Sequence, residues 1–184
     1  DLSAFYFDIR KDSLYCDPID SKKRKSTILL LNIILNSLIK WFAPILSFTT
    51  EEIYRLLFKD SKSIHLEKFL NFPNNFENKK LYQKWLELIK IRNICNISIE
   101  EKRANKEIGS SLEADLNIHL DKKLEEITKN IDFSELCITS KAEISFKENL
   151  ETSAQTTKAK GTKCNLCWKI SENACDRTHC PKNT

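Results

Sequence analysis

The chain has 184 residues, of which 41% are apolar and 30% charged, a composition that suits one or two globular domains. Only Gly109 and Gly161 are glycine, which excludes glycine-rich phosphate loops of the dinucleotide or Walker type. The net charge of +4 resides at the end of the chain, where Lys158, Lys160, Lys163, Lys169, Arg177 and Lys182 stand against Glu172 and Asp176, and such a basic end suits phosphate contacts.

The rest of the chain is electrically balanced. No methionine occurs, and the chain opens directly into the apolar run Leu2, Phe5, Tyr6, Phe7 and Ile9, so it reads as the tail of something longer. From Asp20 to Phe42, apolar residues at Ile28, Leu31, Leu35, Leu38, Ile39 and Phe42 recur at helical spacing, behind Lys22, Lys23, Arg24 and Lys25. Those cations oppose the positive end of the helix dipole, a cost that a ligand phosphate or nearby acidic side chains can offset. The apolar run Ile28 to Leu38 is interrupted by Asn32, Asn36 and Ser37 and is too short to span a bilayer.

Pro44 is expected to force Ala43 out of helical geometry, and Thr49 with Glu52 reads as a capping box opening a helix through Ile53, Leu56 and Leu57. Ile64 to Asn78 reads as a long loop. Lys79 to Glu107 reads as a long helix with Leu81, Trp85, Leu88, Ile91 or Arg92, Cys95 and Ile99 along one stripe, stopped by Gly109. Trp41 and Trp85, both on apolar stripes, are expected in the core. Leu112, Ala114, Leu116, Ile118 and Leu120 then alternate with polar residues as a half-buried strand does. Leu124, Ile127 and Ile131 fit a short helix, while Leu136 with Ile138 and Ile144 with Phe146 suggest two more strands. Glu151 to Thr162 has no periodicity and reads as a linker. His65 and His119 have no partners at ligand or triad spacing and read as ordinary surface or strand residues.

The sharpest chemical signal is the run C-x2-C-W-x6-C-x4-C formed by Cys164, Cys167, Cys175 and Cys180. Thiolates are strong zinc donors, and a C-x2-C turn places two sulfurs at neighbouring corners of a tetrahedron. Four protein ligands leave no open corner for water, so one Zn²⁺ here would be structural, and in so short a segment it would supply the folding energy. His179 is the rival to Cys180 for the fourth position. A disulfide pair is the other reading, though oxidised frameworks belong to secreted chains, and Cys16, Cys95 and Cys137 look reduced and favour a cytoplasmic setting. Trp168 follows the first knuckle directly, where its indole either stacks on an unpaired base or forms the knuckle's own core.

Three blocks resemble the C-terminal part of the bacterial-type isoleucyl-tRNA synthetases. LSAFYFDIRKDSLYCD (Leu2 to Asp17) with WFAPILSFTTEEIY (Trp41 to Tyr54) is similar to the helical bundle that binds the anticodon stem. NKEIGSSLEADLNI (Asn105 to Ile118) is similar to the junction after that bundle, and GTKCNLCW with the later cysteines is similar to the terminal zinc finger. The resemblance implies a mainly α chain: a helical anticodon-binding bundle with a truncated front over 1–107, a small α/β junction over 108–150, a linker over 151–162 and a zinc finger over 163–184. Leu166 stands where the family usually has an arginine, and the second cysteine pair is spaced more widely than the family's C-x2-C.

The parent so implied joins isoleucine to its tRNA with ATP. The HIGH and KMSKS signatures of its nucleotide-binding fold are absent here, as is its editing domain, so this stretch is expected to bind isoleucine tRNA without catalytic residues of its own. Lys163, Trp168, Lys169 and Arg177 are the expected RNA contacts, and a cytoplasmic monomer working with the catalytic and editing domains of the same chain is the expected setting. The alternative is a stand-alone nucleic-acid-binding protein of the formamidopyrimidine-DNA glycosylase type, whose finger the phrase Arg177 to Pro181 resembles.

Overall fold

The computed structural model describes residues 2–59 and 62–173. Its residues group into two compact units, one of residues 18–77 and one of residues 1–17 with 78–184. Helix dominates the chain.

In the larger unit, a π-helical turn over Leu2–Phe7 runs straight into α1 (Asp8–Cys16). In the smaller unit, α2 (Lys22–Phe42) begins at Ser21, whose hydroxyl accepts the Arg24 N–H at 3.4 Å. No acidic residue sits in its first turn. By length and composition alone this 21-residue helix is long enough to cross a membrane, which the apolar run within it is not. Helix α2 ends at Phe42, yet Ala43 keeps helical dihedrals (φ −53, ψ −40), contrary to expectation. The chain turns because the Ile45 and Leu46 N–H groups both fold back onto the Phe42 carbonyl, at 2.9 and 2.7 Å.

This tight corner starts α3 (Ser47–Leu57) earlier than the expected capping box, so Thr49 and Glu52 lie inside the helix. Leu46 is the N-cap residue, and Thr50 bonds back to its carbonyl through both N–H and hydroxyl, each at 2.9 Å. The loop after α3 contains 3-10 turns at Ile64–Leu66 and Asn74–Phe76. The unit's core cluster is Ile39, Ala43, Tyr54 and Ile64, with Leu35 and Ile53 packed against it. Trp41, expected in the core, is instead 53% exposed, and Ile28 and Phe42 of the expected stripe are also exposed. Ile39 of that stripe is buried, together with Thr27 and Ser37, whose hydroxyls bond to the preceding turn of their own helix.

The larger unit continues with α4 (Lys79–Ala104), capped by the Asn78 side chain on the Leu81 N–H at 3.0 Å. Leu88, Ile91, Cys95 and Ile99 are buried as the stripe requires, while Leu81 is exposed. Trp85 packs against the core, edge-on to Phe5 with ring centroids 6.2 Å apart. The helix stops before Gly109. Lys106 takes the left-handed conformation (φ 59), its N–H bonds to Arg103 and the Glu107 N–H bonds to Lys102, which together close a Schellman motif.

Strand β1 (Ala114–Asp121) alternates buried and half-buried residues as read from its pattern. It is central in a three-stranded sheet, parallel to β2 (Lys141–Lys147) and antiparallel to β3 (Ser153–Lys158). A parallel pair needs a crossover. Here it holds the short helices α5 (Glu125–Thr128) and α6 (Phe133–Leu136), so the strand expected at Leu136 and Ile138 is replaced by α6 and by a left-handed Ile138 (φ 57). The expected linker likewise contains β3. It pairs with β1 and turns Ala154 and Thr156 inward, and the Thr156 hydroxyl lies 2.8 Å from that of Ser98 on α4. Helix α4 and the sheet therefore share one core, and the boundary expected at 107/108 separates no compact units.

Candidate functional site

The hairpin of β4 (Thr162–Lys163) and β5 (Ile170–Ser171) carries the first cysteine pair in its loop. Gly161 opens it at φ 120, where an added Cβ would lie 2.2 Å from the Ser171 backbone, so this turn requires glycine. Across the loop the Cys164 N–H donates to the Lys169 carbonyl at 2.8 Å and the Trp168 N–H to the Cys164 carbonyl at 2.9 Å. Trp168 itself is left-handed, at φ 61.

The Leu166 N–H points at Cys164 Sγ from 3.5 Å, and an amide so placed favours a thiolate. Among the described residues, no disulfide joins Cys164 and Cys167. Two cysteines on one turn, with a backbone donor on one sulfur, fit a tetrahedral thiolate-bound metal by their donor chemistry. Cys175, Cys180, His179 and Arg177 lie outside the described residues. Among the described residues no group of three or more metal donors is assembled.

Side chains from elsewhere in the same unit hold this hairpin. The Ile170 N–H donates to Ser140 Oγ at 2.6 Å, and that hydroxyl in turn donates to the Leu112 carbonyl at 2.5 Å. Lys169 Nζ reaches Ser134 Oγ at 3.3 Å, and the Cys16 thiol at the end of α1 lies 4.0 Å from the Leu166 carbonyl. Asp132, which caps α6, is opposed by burial, but the Ser134 hydroxyl and the Glu135 N–H hold its carboxyl below the usual range.

Between α1 and the knuckle lies a cleft of about 430 Å³. Asp8, Asp12 and Tyr15 of α1 line it, as do Leu166, Trp168 and Lys169 of the knuckle. Glu135 also lines it, ion-paired to Arg10 at 2.8 Å. Trp168 is 59% exposed, and Lys163 Nζ stands 5.9 Å from its ring centroid. The described RNA-contact candidates Lys163, Trp168 and Lys169 thus gather at one place.

Two arrangements were not visible in the sequence. His119 Nδ1 lies 2.6 Å from Ser145 Oγ, a pairing set by the parallel register of β1 and β2. Cys95 and Cys137 meet in the core, where the hydrogen bond to Cys95 and then burial push the Cys137 thiol up. Their separation along the chain gives no spacing signal for the contact.

Residues 1–119 match the family described as the anticodon-binding domain of tRNA ligase. An isoleucine–tRNA ligase of Pelagibacter ubique (strain HTCC1062) is 62% identical over 177 residues, covering 96% of this chain and 20% of that protein. Those of Bartonella henselae and Agrobacterium fabrum are 39% and 37% identical, covering 94% and 92% of this chain and 19% of each relative. The chain therefore spans about a fifth of the length of the curated relatives it matches. These matches give the DNA-glycosylase alternative no support. With the matched stretch running from the first helical turn into β1, the chain belongs to the anticodon-binding domain family of tRNA ligases.

Proposed function

We propose that this chain is the tRNA-reading, C-terminal part of an isoleucine–tRNA ligase, the enzyme that joins isoleucine to its tRNA with ATP. The observation that carries this reading is the 62% identity to such a ligase along 96% of the chain. The chain holds isoleucine tRNA for a catalytic and an editing domain elsewhere in the ligase, where ATP is used, and has no catalytic residue of its own. The ligase works as a cytoplasmic monomer.

One structural Zn²⁺, held by Cys164, Cys167, Cys175 and either Cys180 or His179, fixes the knuckle. Thiolate ligation supplies the fold of this short segment, and the chain's own residues then present the RNA contacts. Lys163, Lys169 and Arg177 meet phosphates. Trp168 offers its indole to an unpaired base, a role its exposure supports.

The test is affinity for isoleucine tRNA and a non-cognate tRNA across a salt series. The cognate binds more tightly, and binding falls steeply with salt because cations release phosphate counterions. Trp168→Ala weakens cognate binding by about 1 to 3 kcal/mol with zinc content unchanged. Equal affinity for both tRNAs and for duplex DNA would overturn the reading, and unchanged affinity in zinc-replete Trp168→Ala would remove Trp168 from it.

A further inference from the structure

We propose that Cys95 and Cys137 form a redox-sensitive pair that hydrogen peroxide closes to a disulfide, tying α4 to the crossover between β1 and β2. Neither thiol belongs to the cysteine knuckle or to the RNA contacts described above. Arg92 and Cys95 lie one turn apart on the same face of α4. The Arg92 Nε–H donates to the Leu136 carbonyl at 2.9 Å, and Cys137 is the next residue. The Cys137 N–H donates to the Phe133 carbonyl at 3.0 Å, which keeps Cys137 in the closing turn of α6. At this contact the two thiols meet in the core, both buried and hydrogen-bonded to one another, and no disulfide joins them.

Such a pair divides the work of oxidation. The hydrogen bond from Cys137 draws the Cys95 thiol below its ordinary range, against the cost of burial, whereas that bond and burial push the Cys137 thiol up. Cys95 is therefore the nucleophile and Cys137 the resolving thiol. Cys95 Sγ attacks one peroxide oxygen as the thiolate; the S–O bond forms, the O–O bond breaks, and the leaving hydroxide takes up the thiol's proton as water. Cys137 Sγ then attacks the sulfenic sulfur. The S–S bond forms, the S–O bond breaks, and the Cys137 proton leaves with that hydroxide as a second water, so two thiols are oxidised by two electrons and the peroxide is reduced. Ile138, which follows Cys137, lines the cleft and is left-handed (φ 57), a costly conformation for a β-branched side chain, and its displacement admits a small neutral oxidant. Ser134 and Ser140, on either side of Cys137, hold the knuckle hairpin through Lys169 and the Ile170 N–H, so closure also fixes the support of the knuckle.

The experiment treats the full reduced chain with hydrogen peroxide, stops the reaction with catalase, alkylates the remaining thiols in denaturant and maps the peptides by mass spectrometry. A peptide joining Cys95 to Cys137 appears, both cysteines leave the alkylated pool together, and dithiothreitol restores them. The urea midpoint of the linked chain moves upward, because the cross-link constrains the unfolded chain from α4 through β1 to α6. In Cys137→Ala, Cys95 is trapped by dimedone as its sulfenic acid and no linked peptide forms. That change opens a cavity in the core, so peptide mapping of the unaltered chain decides the matter should the variant not fold. Cys95 and Cys137 still fully alkylated after the other cysteines have oxidised, or links made only among those others, overturn the proposal. A linked chain whose midpoint does not rise overturns the tie between α4 and the crossover.

Discussion

In the unit of residues 1–17 and 78–184, Leu88, Ile91, Cys95 and Ile99 of α4 meet Ala114, Leu116, Ile118 and Leu120 of β1, and every one of these side chains is at most 3% exposed. In the unit of residues 18–77 the core cluster is four residues, while Ile45, Leu56 and Phe48 are 74%, 72% and 93% exposed. A helix laid on a sheet closes its own core. In the smaller unit polar ties add to that small cluster: Glu51 of α3 accepts from Arg55 at 2.7 Å and from Ser63 and the Ile64 N–H of the following turn at 2.9 Å, and Glu67 accepts from Lys40 of α2 at 3.2 Å. Substitutions in the two units should therefore fail differently.

The largest effect is expected at the knuckle, which has neither kind of core. Gly161→Ala places a Cβ 2.2 Å from the Ser171 backbone at a φ of 120, so β4 and β5 cannot pair as they do. Zinc per chain, measured after reduced purification, should fall below half an equivalent in Gly161→Ala and in Cys164→Ser. Full zinc in both variants would end the proposed site.

Next in size is the contrast between the units themselves. Leu116→Ala removes a side chain that is 1% exposed and should cost about 2 to 5 kcal/mol in urea unfolding. Phe48→Ser, at 93% exposure, should change stability by about 0.5 kcal/mol or less. A large loss from Phe48→Ser would mean that the surface of the helix pair is covered in solution.

The sequence made one side of this contrast legible. β1 alternates because one of its faces lies on α4, and large apolar residues mark that face. β3 was not legible, because its inward residues are Ala154 and Thr156, small or polar, and a hydroxyl pair with Ser98 replaces apolar bulk. Trp41 misled because a helical stripe implies burial only where a partner element covers it. At the site, C-x2-C was readable as a local pattern, whereas Asp8, Asp12 and Tyr15 join the cleft from the far end of the chain, where no spacing rule reaches.

A subtler prediction concerns acid. The hydrogen bond from Arg55, then that from the Ile64 N–H, hold the Glu51 carboxyl at about 2, against an ordinary value of 4.5. A lowered carboxylate contributes stability that is present above its ordinary value and is lost as pH falls through the folded one. The turn after α3 should thus loosen between about pH 4.5 and 2, and Glu51→Gln should remove that part of the pH dependence while weakening the tie at neutral pH. Limited proteolysis between Ser47 and Glu77 across this range reads it, and identical profiles for the two proteins would show that Glu51 does not hold the turn.

The smallest expected effect separates two residues that compete for one role. Gly109 looks like the stop signal of α4, but the left-handed residue is Lys106, and a Cβ on Gly109 would meet only the Glu113 carboxylate at an ordinary 3.5 Å. Gly109→Ala also keeps the N–H that donates to Glu113 Oε2 at 2.9 Å. It should therefore alter stability by about 0.5 kcal/mol or less, with a slight gain from the stiffer unfolded chain. Lys106→Gly removes the left-handed strain, worth about 1 to 2 kcal/mol, but adds unfolded-state entropy of about 0.5 to 1 kcal/mol, so the net gain should be about 0.5 kcal/mol. The Lys102 to Glu107 ion pair at 2.9 Å spans the same turn and is left in place by both changes, so it does not blur the comparison. Urea midpoints of the two variants decide the matter: a loss above about 1.5 kcal/mol in Gly109→Ala, with no gain in Lys106→Gly, would return the stop to the glycine and count against the Schellman closure at Lys106.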